Sequence, residues 1–245
     1  MKRWKQVCST MLAGTMLFQT PVAAAPKEEK EEKSPWVSDW KPEDGTTTGD
    51  AYQIYPVPQK IEYPSKTEFD MDKNVGVVSG EKVDKATNDY LNEVLEDFDR
   101  TPKKEKKAGD GSDIIIGVKG SGDEADKYFA DKKLDEKLFE QSGGYALSAD
   151  GEDIIILGKD TEAAFYGVAT LKMMFSSFNG EKFYPVEIQD YASIDARGYI
   201  EGFYGSWTHE QRKSLMEFTR DVKMNLYVYA SKTDAYHTSK WAELY

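Results

Sequence analysis

The sequence predicts an α/β protein, in which a small α/β sandwich domain precedes the start of a (β/α)8 barrel. Two β-branched runs, Asp113 to Gly117 and Asp153 to Gly158, predict a buried sheet, and two stretches with apolar residues at three-to-four spacing predict the helices that cover it. After Arg197 a strand, a helix and a second strand follow with short connections, which is how a parallel barrel begins. We place the α/β domain at residues 51–190 and the barrel start at residues 191–245.

The first half of the α/β domain is expected to alternate extended segments with one helix. The segment from Tyr55 to Lys60 is extended, because its prolines exclude both a helix and a central strand. Short strands are expected at Thr67 to Phe69 and at Val75 to Val78. Asp84 to Phe98 is predicted as a helix with one core-facing stripe. The charged segment from Pro102 to Gly111 is expected to be a solvated loop.

The second half of the domain holds the two β-branched runs, whose continuous apolar character indicates strands covered on both faces. Between them, Gly144 to Ser148 alternates like a half-buried strand, and Asp150-Gly151 predicts a hairpin turn into an antiparallel partner. Asp160 or Thr161 is expected to cap a second helix, whose buried stripe holds Ala164, Val168, Leu171 and Phe175.

Three glycines after the first run, Gly117, Gly120 and Gly122, suggest a phosphate-binding loop at first sight. Their spacing fits no phosphate-binding motif, so they predict a plain turn between a strand and a loop.

The amino terminus has the pattern of a secretory signal peptide. Lys2, Arg3 and Lys5 precede a short apolar run, and a small-residue cleavage site ends at Ala25. We therefore expect residues 1–25 to be removed, a disordered polar leader at residues 26–50, and a secreted protein without a stable membrane anchor. An uncleaved anchor is the alternative. The single cysteine, Cys8, lies inside the signal, so no disulfide is expected in the mature chain.

The charge balance argues against nucleic acid as a partner. The chain has 32 basic and 44 acidic residues, a net charge of −12, whereas nucleic-acid binding depends on basic surfaces. The two histidines, His209 and His237, are far apart and form no metal-binding pattern, so we expect no metal and no cofactor.

In the last fifty residues, Gly198 to Phe203 is a predicted strand, and Thr208 with Gln211 forms a capping box that opens a helix. That helix is expected to bury a stripe of Leu215, Phe218 and Val222. Asn225 to Ala230 is the second strand. In such a barrel the site lies at the carboxyl ends of the strands, which here carry Glu201 and Lys232.

The residue types alone leave the roles at this end open. Glu201 fits either a general acid or a structural partner for Arg197 or a neighbouring strand, and Lys232 fits either a site residue or a solvated lysine. Tyr227 and Tyr229 favour barrel packing over a platform for a sugar.

The residues around these two strands carry a resemblance to glycoside hydrolase family 84, the bacterial hyaluronidase-like and O-GlcNAcase-type β-N-acetylglucosaminidases. The resembling segments are Arg197 to Gly205, Trp207-Thr208, Asn225 to Ala230, Lys232, Asp234, Tyr236-His237 and Trp241. Ile54 to Lys60 and Gly158 to Gly167 are similar to the hexosaminidase-like domain that precedes the family's barrel.

The resemblance implies site residues, a mechanism and a substrate class. Gly202 would bring its backbone against the sugar, and Lys232 would hydrogen-bond the sugar hydroxyls. The sugar's own 2-acetamido oxygen would attack the anomeric carbon with retention, assisted by an Asp-Asp pair of a later barrel strand. No position up to Tyr245 matches that pair, so we expect an inactive N-terminal fragment of a longer enzyme. Its substrates would be glycans that contain N-acetylhexosamine, such as mucins, glycoproteins or glycosaminoglycans.

Two rival interpretations remain at this stage. One is a non-catalytic secreted protein that binds carbohydrate or mediates adhesion through a diverged barrel. The other is a family 20 hexosaminidase, which has the same kind of front domain but does not explain the motif from Glu201 to Gly205.

Overall fold

The computed structural model describes residues 51–151, 153–202 and 207–229. The predicted signal peptide and leader at residues 1–50 lie outside the described residues, as do Lys232 and His237. The predicted α/β class is confirmed: a seven-stranded sheet is covered by helices on both faces, and a strand-helix-strand unit follows it.

The sheet mixes parallel and antiparallel strands. They are β1 (Lys60–Glu62), β2 (Asn74–Ser79), β3 (Thr101–Glu105), β4 (Asp113–Val118), β5 (Tyr145–Asp150), β6 (Asp153–Gly158) and β7 (Val186–Asp190). Their order across the sheet is β1-β7-β5-β6-β4-β2-β3. The four strands β6, β4, β2 and β3 run parallel to one another, whereas β5 is antiparallel to both β6 and β7, and β1 is antiparallel to β7.

Three helices pack on this sheet, and an aspartate caps each of them at its amino end. They are α1 (Lys85–Asp97), α2 (Glu124–Phe129) and α3 (Thr161–Ser177), with caps at Asp84, Asp123 and Asp160. Each cap carboxylate accepts a hydrogen bond from a backbone N–H that has no partner inside the first turn. Helix α3 is buried on almost every side, beyond its predicted stripe.

The middle of the sheet is built from the two isoleucine runs, as predicted. They pair residue by residue, with Ile114 beside Ile154 and Ile116 beside Ile156. Because successive side chains point to opposite faces, Ile114 and Ile116 enter the larger core with α1 and α3, while Ile115 enters the smaller core with α2. Burial on both faces explains why these runs contain no polar alternation.

Helix α3 lies unusually close to β6 at Gly167. A β-carbon built on this glycine would be 2.4 Å from Cγ2 of Ile156. A glycine inside a helix costs about 1 kcal/mol relative to alanine. Here the cost is offset by the close packing of the helix on the sheet.

The turn after β4 agrees with its prediction. Gly120 and Gly122 both have φ of 72°, the left-handed region that favours glycine, and they connect the strand to the cap of α2. The hairpin turn at Gly151, with φ of 66°, also joins two antiparallel strands as expected.

Three predictions about the α/β domain need correction. The expected loop from Pro102 to Gly111 begins inside strand β3, a parallel edge strand that needs no apolar face. The expected strand at Thr67 to Phe69 is reduced to an isolated bridge between Phe69 and Phe183. Strand β5 is buried at every residue but Asp150, because small residues fit under both layers. Helix α2 and strands β1 and β7 were not predicted.

The barrel start consists of β8 (Gly198–Glu201), α4 (His209–Asp221) and β9 (Leu226–Tyr229). Strands β8 and β9 pair in parallel, and the capping box of Thr208 and Gln211 opens α4, both as predicted. The expected buried stripe is wrong for the described part of the chain, where Phe218 is 51% exposed and Leu215 and Val222 are only partly buried.

Candidate functional site

The candidate site lies where β8 and β9 end. The strands pair in register, Tyr199 beside Tyr227 and Glu201 beside Tyr229. Side chains alternate between the two faces, so these four lie on the face that meets Arg212 of α4. Ile200, Gly202, Leu226 and Val228 therefore share the opposite face, where the three apolar side chains are 36–60% exposed.

Glu201 is the most tightly bound group at this end. Its side chain is 1% exposed, and its two oxygens accept hydrogen bonds of 2.7 Å each from Nε and Nη2 of Arg212. The hydroxyl of Tyr227 donates to it at 2.5 Å, and the backbone N–H of Trp207 donates at 3.3 Å. Both carboxylate oxygens are thus engaged by donors from three different elements.

This environment decides between the two roles that the sequence left open for Glu201. The hydrogen bonds from Arg212 hold the pKa of Glu201 at about 2, helped by Tyr227 and Trp207 and opposed by burial. A carboxyl group with that pKa is ionised at neutral pH and has no proton to donate. The geometry favours the structural alternative: the neighbouring strand supplies one partner, Tyr227, as expected, and Arg212 takes the place expected for Arg197.

Arg212 was missed by the sequence analysis. It lies one turn inside α4, and nothing in its spacing from Glu201 indicates an ion pair, because the contact exists only once the helix folds back on β8. Arg197 instead donates to three backbone carbonyls, those of Ile194, Asp195 and Lys223.

The aromatic residues of this end pack within the protein. The ring of Tyr199 lies 4.9 Å from that of Tyr227 and 6.2 Å from that of Trp207. The guanidinium of Arg212 lies 5.3 Å from the centre of the Tyr229 ring. These contacts agree with the predicted packing role for Tyr227, whereas Tyr229 is 46% exposed within the described part of the chain.

Gly202 follows Glu201 directly and occupies the other face of β8. A β-carbon at this position would meet Cγ2 of Ile200 at 3.3 Å, and among the described residues no other atom lies within 4 Å of it. Within the described part of the chain, a small side chain would fit here if the Ile200 side chain shifted slightly. Lys232, the second predicted site residue, lies outside the described residues.

No three His, Cys, Asp or Glu side chains of the described residues come together as the ligands of a metal ion would, and His209 is simply the first residue of α4. None of the helices within these ranges has both the length and the apolar character needed to cross a bilayer.

Family models match both parts of the chain. Residues 51–191 match glycosyl hydrolase family 20, domain 2, and residues 197–245 match beta-N-acetylglucosaminidase. The first match covers more than half of the chain, and the second covers the candidate site.

Individual proteins agree with these matches. The chain is 45% identical to protein O-GlcNAcase of Rattus norvegicus over 49 residues, which are 20% of this chain and 5% of that protein. It is 38% identical to the solved structure of CpGH84D with a TM-score of 0.73, covering 79% of this chain and 33% of that one. The structure of CpGH84B is 28% identical with a TM-score of 0.64, covering 78% and 32%. The chain thus spans about a third of these two structures and a twentieth of the O-GlcNAcase.

Proposed function

Because this chain belongs to the family 84 type of β-N-acetylglucosaminidases, with a family 20 domain 2 at its front, we propose that it is the N-terminal part of a secreted, retaining glycoside hydrolase. The whole enzyme would remove or cleave at β-linked N-acetylglucosamine. The likeness to the two family 84 structures favours this proposal over a family 20 hexosaminidase.

The observation that carries the proposal is the arrangement around Gly202. Glu201 is locked to α4 and β9 on one face of β8, so the next residue presents its backbone on the opposite face. In a barrel that face is directed toward the interior, and its carboxyl end is the catalytic end. A glycine there lets a sugar approach the backbone, where a side chain would collide with it.

In the proposed mechanism this chain binds and orients the sugar, and the chemistry belongs to residues beyond Tyr245. Gly202 contributes close backbone approach, and Lys232 donates hydrogen bonds to sugar hydroxyls. The 2-acetamido oxygen then forms a bond to the anomeric carbon as the glycosidic bond breaks, and the leaving oxygen takes a proton from one carboxyl group of the expected Asp-Asp pair. The other carboxylate orients and polarises the amide.

The proposal also covers the compartment, which follows from the signal-peptide pattern, and the substrates, which follow from the family. Residues 1–25 direct export, residues 26–50 form a polar leader, and the α/β domain at residues 51–190 precedes the barrel start at 191–245. Exported enzymes of this type meet glycans of mucins, glycoproteins or glycosaminoglycans. Amino-terminal sequencing of the exported protein should begin at Pro26; retention of Met1 would contradict the cleavage.

Activity is tested on the full-length gene product with 4-nitrophenyl β-N-acetylglucosaminide. We expect release of 4-nitrophenol, and a steep fall in rate as fluorine replaces hydrogen on the acetamido methyl, because the amide oxygen becomes a weaker nucleophile. A flat dependence on fluorine would contradict participation by the substrate.

The binding role of Lys232 is tested in the same protein. Lys232→Ala should chiefly raise KM, whereas an unchanged affinity would contradict its assignment. A folded protein that binds N-acetylglucosamine without any turnover would support the rival proposal of a non-catalytic carbohydrate-binding protein.

A further inference from the structure

The start of the barrel is joined to the α/β domain by buried charges. Asp221, the last residue of α4, is 8% exposed and accepts hydrogen bonds from Nζ of Lys172 at 2.7 Å and from the hydroxyl of Tyr90 at 2.8 Å. Its neighbour Arg220 makes two 3.0 Å bonds to Glu93 of α1. One end of the barrel's first helix is therefore held by α1 and α3.

A second connection lies at Lys223, in the turn between α4 and β9. This lysine is 5% exposed, and its Nζ donates to Asp190 at 2.9 Å and to the hydroxyl of Tyr145 at 2.8 Å. Its backbone carbonyl accepts from Nε of Arg197 at 3.1 Å, immediately before β8, and β9 begins at Leu226. One residue thus connects the sheet of the α/β domain to the amino ends of both barrel strands.

The two buried lysine–aspartate pairs of this interface, Lys172 with Asp221 and Lys223 with Asp190, are poor candidates for net stabilisation. Removing two charges from water costs several kcal/mol per ion, and replacing a buried pair by neutral groups of similar volume is often harmless, whereas removing one partner costs about 3–5 kcal/mol. A buried pair does favour a single geometry, because any other position leaves a charge without its partner.

We propose that Lys223 and Asp190 are positioning residues for the sugar site at the carboxyl ends of β8 and β9. They fix the amino ends of both strands to the α/β domain. Each strand has four residues, so its far end lies about 13 Å from the anchor at about 3.3 Å per residue. Hydrogen bonds between the paired strands transmit the anchored position to Glu201 and Tyr229, the last residues of the two strands, and Gly202 follows Glu201 directly. The proposal rests on the proposed function, whose site it concerns.

The test separates stability from geometry in the full-length protein. Lys223→Met leaves Asp190 without a counter-charge and should lower the melting temperature. Lys223→Met combined with Asp190→Asn removes both charges and should restore most of it. The control is Lys132→Met with Glu187→Gln, which removes a pair of similar length, 2.8 Å, inside the α/β domain; its side chains are 33% and 38% exposed, so it controls for the loss of the two charges and not for their burial.

In the double variant of the interface, KM for 4-nitrophenyl β-N-acetylglucosaminide should stay raised by about 10-fold although the melting temperature recovers. The reason is that a site displaced by 1 Å can lose about 100-fold in reaction rate. Amide exchange in β8 and β9 should also stay at least about 10-fold faster than in the wild type. The control should change neither. If KM and exchange return to wild-type values together with the melting temperature, the pair is merely structural and the proposal is wrong.

The exchange measurement also distinguishes the two proposals. A wild-type protein that releases no 4-nitrophenol contradicts the proposed function. In that case amide exchange alone tests the positioning role. Exchange in β8 and β9 of the double variant that is as slow as in the wild type overturns this role, and exchange at least about 10-fold faster upholds it. Should Lys223→Met fail to fold, the double variant carries the test alone.

Discussion

Replacing Glu201 by glutamine removes one charge from the ion pair that joins β8, α4 and β9. The difference between the ordinary pKa of 4.5 and about 2 in the folded chain corresponds to about 3.5 kcal/mol before screening by water, at about 1.4 kcal/mol per pKa unit. Arg212 is 19% exposed, so water screens the pair, and we expect Glu201→Gln to lower the free energy of unfolding by about 1–2 kcal/mol. This is a change of about 5- to 30-fold in the unfolding equilibrium constant.

The loss should depend on pH in a defined direction. Folding lowers the pKa of Glu201, so the ionised group stabilises the folded chain fully above the pKa of the unfolded carboxyl. That stabilisation disappears as the pH falls through the folded value of about 2. The difference between wild type and Glu201→Gln should therefore be constant from about pH 7 to about pH 5 and fall by more than half near pH 3.

Urea unfolding of the full-length protein measures this difference, with Glu217→Gln as the matched control on the same helix. Glu217 pairs with Lys213 at 3.8 Å, and their side chains are 49% and 78% exposed, so its loss should cost no more than about 0.5 kcal/mol. Equal effects of the two substitutions, or a difference that persists at low pH, would refute the reasoning. The acid limb of the pH–rate profile should be the same in Glu201→Gln, because this group donates no proton.

Three further outcomes are expected. Gly167→Ala should destabilise the protein by about 1 kcal/mol in urea unfolding, because overpacking against Ile156 exceeds the gain in helix propensity, and a more stable variant would contradict this. Asp160→Ala should cost about 1 kcal/mol by removing the cap of α3, whereas Asp160→Asn should cost much less; equal losses would argue against capping. Gly202→Ala should change stability by less than about 0.5 kcal/mol but weaken binding of N-acetylglucosamine at least about 10-fold, as judged by calorimetry, and unchanged binding would remove Gly202 from the site.

The sequence predicts those parts of the fold that depend on local pattern. A strand that is buried on both faces needs apolar residues at consecutive positions, and the consecutive isoleucines of β4 and β6 are visible directly in the sequence. The capping box of Thr208 and Gln211 is equally local, because its two hydrogen bonds lie within one turn. Strand β3 escaped prediction because an edge strand is held by its backbone and can expose nearly all of its side chains.

The side-chain partners at the site could not be predicted from the sequence, because they come from elements that are distant along the chain. Glu201 meets Arg212 across eleven positions, and Lys223 meets Tyr145 across 78. Neither separation follows from a helix or strand period, so neither partner was predictable. The exposed ring of Phe218 has a similar origin, since the helix pattern predicts an apolar face but not which element covers it.

Strand β3 ends the sheet with a border of ammonium groups, since Lys103 and Lys104 lie on it and Lys106 and Lys107 follow it, all of them exposed. A strand from another molecule could extend the sheet here only by bringing its backbone among these charges, which discourages fibre-like association. Replacing the two lysines of β3 by valine would leave an exposed apolar edge strand that can pair with strands of other molecules and promote aggregation. Engineering of the domain for high-concentration storage should therefore leave this pair untouched.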